Sequence, residues 1–95
     1  MYVSIRRYEG VTNAKDAAQK VSDGFVPLIS QHQGFIAYYV LDSGGGVMTS
    51  ISLYENKTDA EESTRKAADW VRQTVASFFP NPPQITAGEV VSYKK

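Results

Sequence analysis

The stretch GFIAYYVLDSGGGVMTSISLYE, residues 34–55, decides how the rest of the chain must be arranged. Two runs rich in β-branched and aromatic residues, 35–42 and 47–55, flank three consecutive glycines, which is typical of a β-hairpin. A glycine loop that holds a phosphate opens into a helix, whose first amides point at the anion. Here a strand follows Gly46, so the glycines are predicted to turn the chain rather than to bind a ligand.

The segment before the hairpin predicts a strand followed by an interrupted helix. Residues 2–8 alternate between two sets of side chains with the period of a strand. From Asn13, a candidate N-cap, apolar residues recur at the spacing of one helical face, and Gly34 is expected to cap the end. Gly24 and Pro27 fall inside this helix, so we expect a kink or two abutting helical pieces around them.

The segment after the hairpin predicts a longer helix and a last strand. Thr58 and Glu61 have the spacing of a capping box, which opens a helix running to about Phe78. The prolines of PNPP, residues 80–83, then force an extended crossing into a strand at 84–93. The complete order predicts an α+β fold, a ferredoxin-like βαββαβ domain whose helices cover one face of a four-stranded antiparallel sheet.

The composition bounds the domain count and excludes several classes of partner. Ninety-five residues are too few for two separate cores, so residues 1–95 are expected to form a single domain. Ten basic and ten acidic residues cancel, and no basic block or long apolar run is present. We therefore expect neither nucleic acid nor membrane as a partner, and a cytoplasmic location. With one histidine and no cysteine, no metal site is expected.

Strand alternation divides the side chains of the sheet into two faces. The more apolar face is expected to lie under the helices, and it comprises Val3, Ile5, Phe35, Ala37, Tyr39, Leu41, Val47, Thr49, Ile51 and Leu53. The other face is mixed, but it is too aromatic and aliphatic to remain in water. The sequence therefore predicts a homodimer whose sheets pack together through the face bearing Arg6, Tyr38, Met48 and Tyr54.

Three motifs resemble those of the antibiotic biosynthesis monooxygenase-like proteins of the dimeric α/β-barrel superfamily. They are GFIAYYV before the hairpin, the SISLYE strand after it, and ESTRKAADWV in the second helix. The resemblance covers nearly the whole chain and implies a dimeric α/β barrel. This superfamily includes monooxygenases, haem-degrading enzymes, isomerases, dechlorinating enzymes and proteins without known activity. The resemblance to the monooxygenases implies no cofactor, because their phenolic substrate is deprotonated and itself reacts with oxygen.

Three residues are candidates for catalysis. Trp70 is predicted about 115° from the centre of the helix stripe, where it would wall a pocket for a planar ligand or pack against the hairpin or a second subunit. Alternation places Tyr39 on the helix side, as a hydroxyl donor to the substrate or as a core tyrosine. His32 is the weakest candidate for a base, and the alternative is a histidine that caps the helix or bonds a backbone carbonyl.

Four further residues are candidates for substrate binding. Arg7 at the mouth of a cavity could hold a carboxylate, whereas its neighbour Arg6 is expected to pair across the dimer. Asn13 is either an N-cap or a donor to an oxyanion. Phe35 on the helix-side face and Ala67 on the helix stripe complete the expected set.

Two functional hypotheses of different classes follow. The first is a homodimeric, cofactor-independent monooxygenase that acts on a small aromatic or polycyclic ligand between sheet and helices. The second is a non-catalytic ligand-binding or accessory homodimer, which the plain inventory of ionisable groups favours. An isomerase or dehalogenase using the same cavity is a third interpretation. Haem degradation is disfavoured, because the haem-degrading relatives use a histidine on the second helix and an asparagine on an early strand, and this chain has neither there.

Overall fold

A four-stranded antiparallel sheet carries all the helices on one of its faces. The computed structural model describes residues 1–95. The strands are β1 Tyr2–Tyr8, β2 Phe35–Gly44, β3 Val47–Tyr54 and β4 Gln84–Glu89. They take the order β2-β3-β1-β4 across the sheet, which is the ferredoxin-like α+β arrangement that the element order predicts. The sheet of one chain is open, so the closed barrel is a property that only two chains together could have.

The first helical segment is interrupted where the sequence predicts a break. Helix α1 spans Ala14–Lys20 and α2 spans Val26–Ser30, and the π-helical turn Val21–Phe25 joins them. Pro27 stands in the first turn of α2, directly after the π-helical turn, so its missing N–H falls where the helical hydrogen-bond pattern changes. The expectation of two abutting pieces is therefore confirmed, although α2 ends at Ser30 rather than at Gly34.

The second helical segment begins earlier than the predicted capping box. Helix α3 spans Lys57–Trp70 and continues as the π-helical turn Val71–Val75. Its N-cap is Asn56, whose side-chain oxygen accepts a hydrogen bond from the backbone N–H of Asp59 at 2.9 Å. The predicted capping box at Thr58 is therefore wrong, because an asparagine two residues earlier already satisfies a free N–H of the first turn.

The three hairpin glycines turn the chain, as predicted. Gly44, Gly45 and Gly46 have φ angles of 81°, 61° and 79°, in the left-handed region that favours glycine. The carboxylate of Asp42 accepts a hydrogen bond from the N–H of Gly44 at 3.0 Å. The carbonyl of Gly46 accepts another from the N–H of Val11 at 2.9 Å, so the turn is tied to the loop that follows β1.

The helices cover the face of the sheet opposite to the predicted one. Arg6, Met48 and Tyr54 are buried beneath the helices, whereas the side chain of Tyr39 is 57% exposed. Strand pairing shows that the uncovered face comprises Val3, Ile5, Ala37, Tyr39, Leu41, Val47, Thr49, Ile51 and Leu53. We call these nine residues the open face. The expected dimer surface through Arg6, Tyr38, Met48 and Tyr54 is therefore wrong, because it lies inside the chain.

Phe35 is the exception to this inversion. The pairing of β2 with β3 shifts between Phe35 and Ala37, so Phe35 stands opposite Tyr54 while Ala37 stands opposite Leu53. An irregularity of this kind moves a side chain to the other face of a sheet. Phe35 consequently packs on the helix side, with its ring centroid 5.9 Å from that of Tyr54.

The helices are short and amphipathic rather than uniformly apolar. None of them has both the length and the apolar character needed to cross a membrane. Most of the buried positions of α1 and α3 are small, namely Ala17, Ala60, Ser63 and Ala67. The side chains between the two layers form two clusters, one around Tyr8 and Met48 and one around Phe25 and Ile29.

Candidate functional site

The main cavity lies between the sheet and the last part of α3. It has a volume of about 340 Å³ and opens at the side of the sheet where β4 is the edge strand. Arg6 and Tyr8 of β1 line it, together with Val71 of the π turn, Phe79 and Ile85. Three prolines of the connection between α3 and β4 also line it, as do Thr64, Ala68, Arg72, Ala76 and Asn81. A cavity of this size, largely apolar with a few polar groups, is the usual form of a small-molecule site.

Of the two arginines that line this cavity, Arg6 is buried and Arg72 is exposed. Only 3% of Arg6 is exposed. Its Nε donates to Ser50 Oγ at 3.2 Å and its Nη2 donates to Ser52 Oγ at 3.3 Å, whereas Nη1 has no hydrogen-bond partner. None of the five ion pairs of the chain includes Arg6. The guanidinium is therefore a buried cation with one free donor nitrogen and no anion beside it.

Three tyrosines, Tyr8, Tyr38 and Tyr54, lie on the helix-covered face of the sheet with Arg6. Burial raises the pKa of Tyr8 and of Tyr38 above the ordinary value of 10.0, and the charge of Arg6 offsets part of that increase. Burial also raises the pKa of Tyr54, whose hydroxyl forms a hydrogen bond with Ser63. Neutral phenols are hydrogen-bond donors. Tyr8 lines the cavity and packs against Phe79, with ring centroids 4.7 Å apart and the planes tilted by 52°. Its neutral hydroxyl can donate to a ligand but cannot act as a base near neutral pH.

The raised tyrosine pKa values make the fold sensitive to alkali. Because the folded-state pKa lies above the unfolded value, the unfolded chain loses these protons first as the pH rises. The stabilisation that comes from keeping these phenols neutral is complete below pH 10.0, the unfolded value. It is lost as the pH rises through the higher folded-state pKa. We expect the free energy of unfolding, measured with urea, to fall above pH 10, and Tyr38→Phe to flatten that fall. Tyr39→Phe on the open face is the matched control, and equal pH profiles for both variants would contradict this assignment.

Trp70 packs between the two helical segments and does not line the cavity. Its ring centroid lies 5.3 Å from that of Phe25. A side chain at Gly24 would come within 2.9 Å of the indole ring, so the glycine makes room for it. This arrangement matches the packing interpretation, with the first helical segment as the partner in place of the expected hairpin or second subunit.

Replacing Trp70 by phenylalanine tests this placement. The smaller ring leaves part of the contact with Phe25 unfilled, so the free energy of unfolding should fall by about 1 kcal/mol. The affinity for 2-naphthol, an aromatic probe of the cavity, should stay within about twofold of the unmodified protein, since Trp70 does not touch the cavity. Unchanged stability with strongly weakened naphthol binding would make Trp70 part of the ligand site instead.

His32 lies in the turn between α2 and β2, away from the cavity lining. Its Nδ1 lies 2.9 Å from the carbonyl oxygen of Gln33, which can only accept, so Nδ1 carries the proton. Its Nε2 lies 3.6 Å from the carboxylate of Glu62, and its side chain is 5% exposed. This geometry agrees with the interpretation of a histidine that bonds a backbone carbonyl.

Two of the predicted site residues lie outside the cavity. Tyr39 and Arg7 point to the open side of the sheet, and Arg7 forms an ion pair with Glu9. Their expected positions on the helix side are therefore wrong, for the same reason that the two faces are inverted. Asn13 occupies the N-cap position of α1 with a φ of 52°, and its side-chain amide donates to Asp16 at 2.7 Å rather than capping the helix.

Phe35 and Ala67 do lie between the sheet and the helices, as predicted, but in a packed cluster. Ala67 is buried against Phe25 and Ile29, and Phe35 is packed against the same cluster. Neither residue lines the main cavity. Of the predicted site residues, none therefore contributes a side chain to the cavity lining.

The buried polar residues on the face of Arg6 are visible as a pattern in the sequence. Arg6 shares its face of the sheet with Ser4, Ser50 and Ser52, and α3 presents Ser63 on its buried stripe. A small hydroxyl is the group that could accept from a buried guanidinium without adding a charge. The spacing of these serines therefore marks the helix-covered side, although apolar alternation pointed to the other one.

Solved structures identify the fold. A monooxygenase from the gene ActVA-Orf6 of Streptomyces coelicolor, solved with nanaomycin D, matches with a TM-score of 0.79 and 13% identity, over 99% of this chain and 90% of that one. Protein NE2512 of unknown function from Nitrosomonas europaea matches with a TM-score of 0.78 and 18% identity, over 99% and 92%. The chain has the same fold as solved antibiotic biosynthesis monooxygenases.

This shared fold confirms the part of the sequence resemblance that concerns the fold. A mutant of MhuD, solved with two manganese protoporphyrin IX molecules in each active site, has the same fold, with a TM-score of 0.75 and 14% identity over 100% of this chain and 99% of that one. No protein-family model and no curated protein matches the sequence. Proteins of this fold thus include both a monooxygenase and a protein of unknown function, and fold alone does not decide between them.

Proposed function

We propose that this chain is a cofactor-independent monooxygenase that oxidises a small aromatic or polycyclic phenol in the main cavity. The observation that carries the proposal is the cavity of about 340 Å³, in which apolar walls surround the buried guanidinium of Arg6 and the neutral phenol of Tyr8. Apolar walls take up the rings of an aromatic ligand, and the few polar groups orient it. The fold shared with a Streptomyces coelicolor monooxygenase supports the same reaction class.

The proposed reaction places its demands on the substrate rather than on a protein base. No carboxylate and no histidine lines the cavity. The positive charge of Arg6 favours the ionised phenol, and Tyr8 can donate a hydrogen bond to its oxygen. One atom of O₂ then becomes a new carbonyl oxygen on the ring. The other leaves as water with the phenolic hydrogen and one ring hydrogen, so that the phenol is oxidised to a quinone and O₂ is reduced.

The same proposal includes a second copy of the chain as partner. On the open face Tyr39 and Leu41 are exposed, Leu41 at 49%, and the other seven residues are only partly buried. A contiguous apolar surface of this kind marks an interface in a small protein. Because a two-fold axis would place the open face of each chain against the same face of the other, sheet-to-sheet packing buries both. The dimer surface is thus proposed on the face opposite to the one first expected.

Oxygen uptake tests the reaction. We expect oxygen consumption with 2-naphthol or a related phenol, measured with an oxygen electrode, and quinone formation in equal amount. Ala68→Trp on α3 fills the cavity and should reduce the rate at least about tenfold, because a bound ligand must share the same space. Lys66→Trp places the same side chain on an exposed position of α3 outside the cavity and should leave the rate unchanged.

The rival hypothesis is a ligand-binding or accessory homodimer without catalysis. The absence of a carboxylate or histidine from the cavity lining is the observation that favours it. Binding of phenols without oxygen consumption, by a protein with a cooperative melting transition, would support this rival and overturn the monooxygenase. Turnover that proceeds without oxygen would indicate an isomerase or dehalogenase.

A further inference from the structure

Arg6 lacks the counter-ion that a buried cation requires. A guanidinium remains protonated at any pH that a protein survives, so burial cannot neutralise it. Moving an unpaired charge out of water is costly unless an anion and hydrogen bonds compensate. Arg6 has two serine hydroxyls as acceptors and no carboxylate, and one of its terminal nitrogens donates to nothing. The compensation inside the chain is therefore incomplete.

The groups around Arg6 cannot supply the missing charge. Tyr8 and Tyr38 are held in their neutral form, because burial raises the pKa of each phenol. Arg72, the other cation on the cavity lining, is an exposed residue of the π-helical turn after α3 and is paired with Asp69. The buried charge without a counter-ion is thus the guanidinium of Arg6, a residue of the cavity lining.

We propose that the guanidinium of Arg6 binds an anionic oxygen of the ligand, so that the cavity selects aromatic molecules bearing a carboxylate or an ionised phenol. The hydrogen bonds to Ser50 and Ser52 fix the plane of the guanidinium, and Nη1, which solvent does not reach, has no partner within the chain. Hydrogen bonds between an ionised donor and an ionised acceptor are the strong ones, and they gain further where water is excluded. This inference rests on the proposed function only in using the same cavity, and it concerns binding rather than turnover.

The test compares ligands of equal shape and different charge on the unmodified protein. Calorimetry at pH 7 should give an affinity for 2-naphthoate at least about tenfold higher than for 2-naphthamide, whose carboxamide has the same shape without the charge. For 2-naphthol, affinity should rise with pH as the naphthol ionises. A preference for naphthoate alone assigns the carboxylate, and a rise for naphthol alone assigns the phenolate. Equal affinities for naphthoate and naphthamide together with pH-independent naphthol binding would overturn the proposal.

Two adjacent arginines provide matched variants. Arg6→Gln removes the cation from the cavity, whereas Arg7→Gln removes the same charge from the open face one residue later. We expect Arg6→Gln to weaken the binding of the anionic ligand about 30-fold or more, and Arg7→Gln to change it less than about twofold. Arg6→Lys keeps the charge but loses the two guanidinium hydrogen bonds to the serines. Its affinity for the anionic ligand should therefore lie between that of Arg6→Gln and that of Arg7→Gln. Equal losses from Arg6→Gln and Arg7→Gln would show that only net charge matters, and would overturn the proposal.

Failure of this inference is distinguishable from failure of the proposed function. If binding is charge-selective and depends on Arg6 but no oxygen is consumed, the anion site is supported and the monooxygenase proposal is wrong. Oxygen uptake with naphthol, combined with equal affinities for naphthoate and naphthamide and a pH-independent naphthol affinity, retains the enzyme and removes the anion site. The comparison of naphthoate with naphthamide needs no variant, so it remains decisive even if Arg6→Gln does not fold.

Discussion

Ile51→Asp is expected to convert the proposed dimer into a monomer. Ile51 stands in the middle of the open face, between Ile5 of β1 and Tyr39 of β2 in the pairing of the strands. A two-fold interface would bury two new carboxylates near each other, and an unpaired buried charge is costly. The dimer dissociation constant should rise about 100-fold or more, which corresponds to about 2.7 kcal/mol. Sedimentation over a range of concentrations should give twice 10.5 kDa for the unmodified protein and 10.5 kDa for the Ile51→Asp variant.

Ile85→Asp is the control for the change of side chain. Ile85 lies on β4 opposite Arg6, on the helix side of the same sheet, and it is 56% exposed. Aspartate there should alter ligand binding in the cavity but leave the dimer intact. A monomeric unmodified protein at tens of micromolar would contradict the proposed partner. A dimer that survives Ile51→Asp but not Ile85→Asp would place the interface on the other face.

Gly34→Ala is expected to reduce the free energy of unfolding by about 2 to 4 kcal/mol, a large part of the stability of a small domain. Gly34 has a φ of 77°, which costs an alanine about 1 kcal/mol or more. Its new Cβ would also press into the carboxylate of Asp59, with the carboxyl carbon only 3.0 Å away. That carboxylate accepts from the side-chain amide of Asn56 at 2.9 Å, so the clash would disturb the cap of α3. Urea unfolding measures the loss.

Gly45→Ala separates backbone strain from the collision. Gly45 also has a positive φ, of 61°, but a Cβ there would meet no atom within 4 Å. Its substitution should therefore cost only the strain of the left-handed backbone, about 1 kcal/mol. The difference between the two glycine variants measures the contact with Asp59. If Gly34→Ala costs no more than Gly45→Ala, the close approach of the turn to the start of α3 has no energetic weight.

The sequence predicted the elements because each carries its own local signal. Alternating residues gave β1, and the three glycines gave the hairpin between β2 and β3. Gly24 and Pro27 correctly indicated a break in the first helix. The cap at Asn56 was assigned two residues too late, because Thr58 offers the same chemistry and local sequence does not rank the two.

The choice of faces failed because it depends on what covers each face rather than on local pattern. Residues such as Ile5 and Ile51 are more apolar than Arg6 and Ser50, so the pattern predicted that Ile5 and Ile51 lie beneath the helices. In the folded chain the polar set is buried, since its serine hydroxyls accept from the arginine and its tyrosines and Met48 fill the remaining space. Tyr39 and Arg7 inherited this inversion, which is why they lie outside the cavity, whereas the register shift after Phe35 returns that residue to the helix side.

Three prolines, Pro80, Pro82 and Pro83, line the cavity from the connection between α3 and β4. Proline restricts its own backbone and that of the preceding residue, so this segment has few conformations to lose. Its shape should therefore persist in the empty protein, and closing on a ligand should cost little conformational entropy. A ligand would therefore have to fit a preorganised rim, because the rim would not adapt to it. The rim would then select aromatic ligands by the shape of their rings, whereas Arg6 on the sheet would select them by charge.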